Sequence, residues 1–171
     1  MLTSVRDDWL AWRACGDAVR GISFEIPNEY GKYLLEILGE IDVLAFDWKA
    51  GGGEAYVIEA GTLGSPFFPA TCVLSGEKLY ERITQKDYYL IFTDLKGFPH
   101  KADIEEVTTY QDFIQSDCEF VFLLVDSSYV TIYAKDPSLI EKILSKANAS
   151  KYENVEMITS VNDCSGNLMA F

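Results

Sequence analysis

An α+β protein built mostly from antiparallel sheet is what the residue pattern predicts, on three observations. Short apolar alternations with a period of two recur along the chain, amphipathic stretches with a period near 3.6 lie between them, and Gly, Pro, Asn or Asp residues separate the two kinds. At 171 residues, 49% hydrophobic and 24% charged, the chain has the size and composition of one compact domain. Its longest purely apolar run, Phe120 to Val125, is far below the roughly 20 residues that cross a bilayer, so no membrane span is expected.

Residues 1–18 interleave Trp9, Leu10 and Trp12 with Arg6, Asp7, Asp8 and Arg13 without a cap or a period, and are read as an N-terminal extension. From Arg20 the signals sharpen. Ile22, Phe24 and Ile26 alternate with Ser23 and Glu25 as on a half-buried strand, and Pro27-Asn28 then offers a stop and a helix cap. Tyr30, Leu34, Ile37, Leu38 and Ile41 follow at helical spacing. Val43 to Trp48 and Ala55 to Ile58, separated by Gly51-Gly52-Gly53, read as a hairpin, and Gly61 to Pro69 as a loop. Ser75 caps an expected helix carrying Leu79, Tyr80 and Ile83.

The order then recurs. Tyr88 to Phe92 reads as a strand, Thr109 caps a helix with Tyr110, Phe113 and Ile114, and Glu119–Val125 with Tyr129–Ala134 form a hairpin across Asp126-Ser127-Ser128. Asp136-Pro137 opens a helix with proline at its first position and a clean stripe of Leu139, Ile140, Ile143, Leu144 and Ala147. Strands are expected at Val155–Thr159 and at Leu168–Phe171. Residues 19–171 are thus expected to form a single domain of two similar halves, about 19–86 and 87–171. Each half fits a ferredoxin-like β-α-β-β-α unit; one irregular sheet is the alternative. Phe120 to Val125 suits a strand covered on both faces, and Ile22 to Ile26 a strand covered on one.

Several chemistries are excluded. Fourteen Lys and Arg against 27 Asp and Glu leave a formal charge of −13, which repels phosphate backbones, so direct nucleic-acid binding is not expected. Four cysteines without a C-x-x-C pair, beside a single histidine, give no zinc pattern; they indicate free thiols in a reducing cytoplasm, with Cys72 and Cys118 as packing residues. His100, between Pro99 and Lys101, is expected to be a solvated loop residue. No nucleophile elbow, Walker loop or dinucleotide fingerprint is present, and the Gly51–Gly53 run lacks the Gly-Lys-Ser/Thr ending of a phosphate loop, so no cofactor is expected.

Aromatic residues are the surplus: 10 Tyr, 10 Phe and 3 Trp make up 13% of the chain. Tyr129, Thr131 and Tyr133 should share one sheet face while Val130, Ile132 and Ala134 take the other. If that polar-aromatic face is open, it offers a ligand or partner site near Trp48, Glu54, Tyr56 and Tyr129; if helices cover it, these residues are core. The acidic segment 101–119, one lysine against six carboxylates, is the other feature.

The strings Arg20-Gly21-Ile22-Ser23-Phe24-Glu25-Ile26-Pro27-Asn28, Tyr88-Tyr89-Leu90-Ile91-Phe92, Ser116-Asp117-Cys118-Glu119 and Val125-Asp126-Ser127-Ser128-Tyr129-Val130-Thr131-Ile132-Tyr133, with Ile158-Thr159 and Asn162-Asp163, resemble a family of small, acidic, uncharacterised Bacillus-type bacterial proteins, a domain of unknown function, over about residues 19–171. The resemblance implies a bacterial cytosolic setting and brings no assigned activity; Cys164-Ser165-Gly166 departs from the family's string. The expected function is a non-enzymatic binding or regulatory module for an unidentified small ligand or protein partner. The alternatives are an acidic inhibitor or immunity-type protein that blocks a basic enzyme, and a hydrolase using a carboxylate pair without histidine.

Overall fold

The computed structural model describes residues 18–68, 70–163 and 166–171. Ten strands and four α-helices follow one another as β1 (Val19–Glu25), α1 (Tyr33–Leu38), β2 (Phe46–Ala50), β3 (Ala55–Glu59), β4 (Thr62–Pro66), β5 (Cys72–Ser75), α2 (Gly76–Gln85), β6 (Tyr88–Leu90), β7 (Thr93–Pro99), α3 (Tyr110–Gln115), β8 (Phe120–Val125), β9 (Tyr129–Ala134), α4 (Pro137–Ala149) and β10 (Glu153–Thr159) among the described residues. A 3-10 turn at Val43–Ala45 leads into β2. The strands form a seven-stranded sheet in the order β10-β1-β9-β8-β7-β2-β5 and a three-stranded sheet in the order β4-β3-β6, with antiparallel pairing throughout. The protein is α+β with a large antiparallel sheet, as its periodicities predict.

The halves are not two side-by-side ferredoxin-like units. β1 of the first half lies between β9 and β10 of the second, β2 pairs with β7, and β3 pairs with β6. Merging the strands lets the two halves share the larger core, where each half alone would bury a smaller fraction of its surface. The hairpin expected from Val43–Trp48 and Ala55–Ile58 is absent for the same reason: β2 pairs with β5 and β7, β3 pairs with β4 and β6, and Gly51–Gly53 carries the chain from one sheet to the other.

One face of the large sheet, bearing Ile22, Phe24, Trp48, Leu95, Phe120, Phe122, Val130 and Ile132, packs on Leu34 and Ile37 of α1, Leu79 and Ile83 of α2 and Ile140, Ile143 and Leu144 of α4. The small sheet contributes Ala55, Tyr88 and Leu90 to that core. The other face, with Phe98, Val121, Leu123, Tyr133 and Ile158, is covered more narrowly, by Phe113 of α3, Val107, Leu168 and Ala170. β8 is accordingly buried on both faces and β1 on one, as the apolar run and the alternation predict. Gly21 admits a close crossing in β1, because a Cβ there would stand 1.9 Å from the Ile132 carbonyl oxygen.

Three helix starts follow their caps. Ser75 accepts from the Lys78 N–H, Thr109 and Asp112 form a reciprocal capping box, and Asp136 accepts from Ser138 N–H ahead of Pro137. Asn28 does not cap a helix: Gly31 exchanges backbone hydrogen bonds with Tyr88, at 3.1 and 3.0 Å, which keeps the chain extended until α1 begins at Tyr33. Leu168–Phe171 forms no strand; Leu168 and Ala170 are buried, and Leu168 N donates to Thr108 O at 2.8 Å. Strand β4 lies within the stretch read as a loop, and β5 and β7 are strands for which the residue pattern offers no reading. The expected extension, Ala18 apart, lies outside the described residues, as do Cys15 and Cys164.

Thr93 opens β7 on the core side, 1% exposed, and its hydroxyl has no hydrogen-bond partner among the described residues. A buried hydroxyl without a partner is destabilising relative to a methyl of the same shape. Thr93→Val is therefore expected to raise unfolding stability by about 1 kcal/mol. Urea titration checks this; a loss of stability would show that the hydroxyl is satisfied.

Candidate functional site

The register of β2 on β7 sets two charged side chains against each other. Trp48 and Ala50 face the main core, so Asp47 and Lys49 face the opposite side, and Lys49 lies directly across from Lys96. Like charges directly opposite on one sheet face repel. Two carboxylates answer them. Asp94, two residues before Lys96 on the same face, pairs with its ammonium at 2.5 Å, and the two side chains are 9% and 7% exposed. The other Asp94 oxygen accepts from Ala170 N at 3.4 Å. Glu106, on the irregular segment 102–108, pairs with Lys49, whose side chain is 17% exposed against 79% for the glutamate.

These four groups, with Gly51, Thr71, Val107, Thr108, Met169 and Phe171, enclose a pocket of about 170 Å³. Gly51 lies flat on its wall: its N–H donates to Asp94 O at 2.8 Å, and a Cβ would come within 3.1 Å of the Phe171 ring. The pocket balances two cations with two anions on a floor of paired strands, an arrangement suited to holding a small polar molecule. General acid chemistry is poorly served, because such a carboxyl needs a raised pKa, whereas the hydrogen bond and charge of Lys49 hold Glu106 below the usual carboxylate range.

The residues singled out in the sequence do not converge. Trp48 is fully buried on the helix-covered face, its Nε1 donating to Val43 O at 3.0 Å and its ring edge-on to Phe46 and Phe120, so it is core and faces away from solvent. Glu54 is exposed, and its backbone carbonyl accepts from Ile91 and Phe92. Tyr56 lies half-buried on β3 opposite Tyr89. Tyr129, 54% exposed, stands at the start of β9 on the sheet face opposite Trp48. Tyr129 and Tyr133 do share a face, and of the two rings only Tyr129 is exposed. Tyr133 is buried under Tyr110, which Arg20 in turn covers at 4.0 Å, and its hydroxyl donates to Asp163 at 3.1 Å.

Sequence reasoning missed Lys49, Asp94 and Lys96, and took in Glu106 only as one carboxylate of the acidic segment 101–119. The one available signal was the charged alternation Asp94-Leu95-Lys96 beside apolar strands. His100 is exposed, with Nε2 2.8 Å from Leu44 O and Nδ1 3.2 Å from the Asp47 carboxylate; the Leu44 carbonyl and then Asp47 raise its pKa. Burial pushes the Cys118 thiol up to about 12, in keeping with a packing role. Among the described residues no group of three or more His, Cys, Asp or Glu could hold a metal ion. A larger, more open trough of about 640 Å³ runs between β3, β4 and α2, but Arg82 on its wall is held by Phe67 O at 3.1 Å.

A family model described as "Protein of unknown function (DUF2691)" matches residues 19–169. The chain belongs to that family. The match takes in Lys49, Asp94, Lys96 and Glu106. The Uncharacterized protein YncE of Bacillus subtilis (strain 168) is 38% identical over 144 residues, which are 84% of this chain and 94% of that protein. No solved structure matches this chain.

Removing one member of a buried ion pair strands its partner's charge, whereas replacing both with apolar side chains is close to neutral. Lys96→Met is thus expected to lower stability by about 3–5 kcal/mol and the double variant D94L/K96M to recover most of it. Equal losses in chemical denaturation of the two variants would contradict the pairing. Glu106 yields a pH signature. Its folded pKa is depressed, so the Lys49 contact contributes fully above the ordinary glutamate pKa and is lost as pH falls through the lower folded value. The Glu106 carboxyl carbon, followed by NMR, should titrate below free glutamate in the native protein and return to the ordinary range in Lys49→Gln.

Proposed function

We propose that this protein is a non-enzymatic binding module for a small polar molecule, seated in the pocket over β2 and β7, on the sheet face that Tyr129 and Tyr133 share but lined by neither ring. The observation that carries this reading is the pair of cross-strand lysines over a buried Asp94–Lys96 ion pair, all facing one enclosed space. An apolar pair at these positions would serve stability as well or better, so a binding role accounts for charges that packing alone does not require. Paired strands also fix the groups before a ligand arrives, which lowers the entropy lost on binding.

Blocking a basic enzyme is the less supported reading. Of the six carboxylates in 101–119, Glu106 is engaged by Lys49, and Asp112 serves the α3 capping box. Local structure therefore explains part of the acidic run without a partner.

Amide chemical-shift mapping with a library of small polar fragments tests the assignment. Binding should move the amides of Lys49, Thr71, Lys96 and Thr108 and should survive Tyr129→Ala. Shifts gathered at Tyr56 and Tyr129, or none at the pocket, would overturn it.

A further inference from the structure

Of the four charges in the pocket, three are fixed and one is not. Asp94 and Lys96 are each less than a tenth exposed, and Asp94 is further held by the Ala170 N–H. Lys49 is held across from Lys96 by the β2–β7 register. Glu106 differs: its side chain is 79% exposed and its segment, 102–108, has no regular structure. An exposed ion pair of this kind shifts an equilibrium by about fivefold at most, so the carboxylate can leave Lys49 at little cost.

Its departure would leave two neighbouring ammonium groups facing one fixed carboxylate, a pocket with one uncompensated positive charge. We infer that the pocket takes a small monocarboxylate with a short apolar tail, and that Glu106 stands in the carboxylate's place on Lys49 until the ligand displaces it. This rests on the reading of the pocket as a binding site and names its ligand class.

Size and lining agree with that class. A space of about 170 Å³ holds a few heavy atoms, on the scale of the roughly 150 Å³ cavities that admit benzene. Val107, Met169 and Phe171 supply apolar surface, the last two 42% and 56% exposed at the mouth, where a tail would cover them. Thr71 Oγ1 accepts from Gly52 N at 3.2 Å, which leaves its own proton for a ligand oxygen. The displaced Glu106 side chain would return to solvent, so occupancy of the pocket would be reported at the surface by that side chain. Val107, buried in the core, and Thr108, whose carbonyl accepts from Leu168 N, stay in the pocket wall.

The test is NMR titration of the full chain with butyrate and benzoate, with the neutral butyramide and benzamide, and with inorganic phosphate, in the native protein, Glu106→Gln and Lys49→Gln. The expected result is carboxylate binding that moves the pocket amides, tightens by up to about fivefold in Glu106→Gln, and weakens at least tenfold in Lys49→Gln. The amides should bind no better than background. Glu106→Gln alters only an exposed side chain, so its result stands even if Lys49→Gln unfolds. Unchanged or weaker carboxylate binding in Glu106→Gln, equal binding of the neutral amides, or phosphate binding in place of the carboxylates would overturn the inference. If other polar fragments still reach the pocket when the carboxylates do not, the binding reading survives and this ligand class falls. If nothing reaches it, both fall.

Discussion

The antiparallel register of β2 on β7 is the constraint on which both the core and the pocket depend. Side chains alternate across a sheet, so a slip of one residue would exchange the faces of a strand. In the observed register Trp48 enters the main core over Gly97, whose lack of a side chain leaves room for the indole, while Lys49 and Lys96 meet on the other side. A slipped β2 would put an ammonium into the apolar core and an indole into water. The free-energy difference between these arrangements pins the register, and the register in turn forces two lysines together.

That forced meeting explains the local electrostatics. Two cations side by side on a partly covered sheet face need anions, and the fold provides them by different means. Asp94 comes from the same strand as Lys96 and is as buried and immobile as its partner. Glu106 comes from an irregular segment whose Val107 packs against the sheet face while the glutamate itself stays in solvent. A rigid pair beside a loosely held one is an asymmetry that packing does not require, and it makes this face chemically different from the helix-covered side.

Much of the local structure was legible along the chain. The caps at Ser75, Thr109 and Asp136 acted as their side-chain chemistry predicts, the 120–134 hairpin closed across Asp126 to Ser128, and the all-apolar Phe120–Leu124 was buried on both faces. The errors have a common origin in long-range pairing. Gly31 bridges to Tyr88 and so delays α1, and β7 tolerates Asp94, Lys96 and Gly97 in a central strand because ions pair and an indole covers the glycine. Trp48 looked like a ligand-facing ring only while β2 was taken to pair with β3. The pocket went unread because its four charged residues are separated by up to 57 positions in the chain, and each alone resembles a solvated side chain.

Composition and period alone determined the α+β class, the antiparallel bias, three helix starts, the inward face of β1, the double burial of β8 and which β9 residues share a face, because these follow from interactions between residues near in sequence. Strand order, the merging of the two halves, the burial of Trp48 and the meeting of Lys49 with Lys96 were decided only in the tertiary structure. Which strands become neighbours depends on how much apolar surface the whole chain can bury at once, a quantity that no local segment contains.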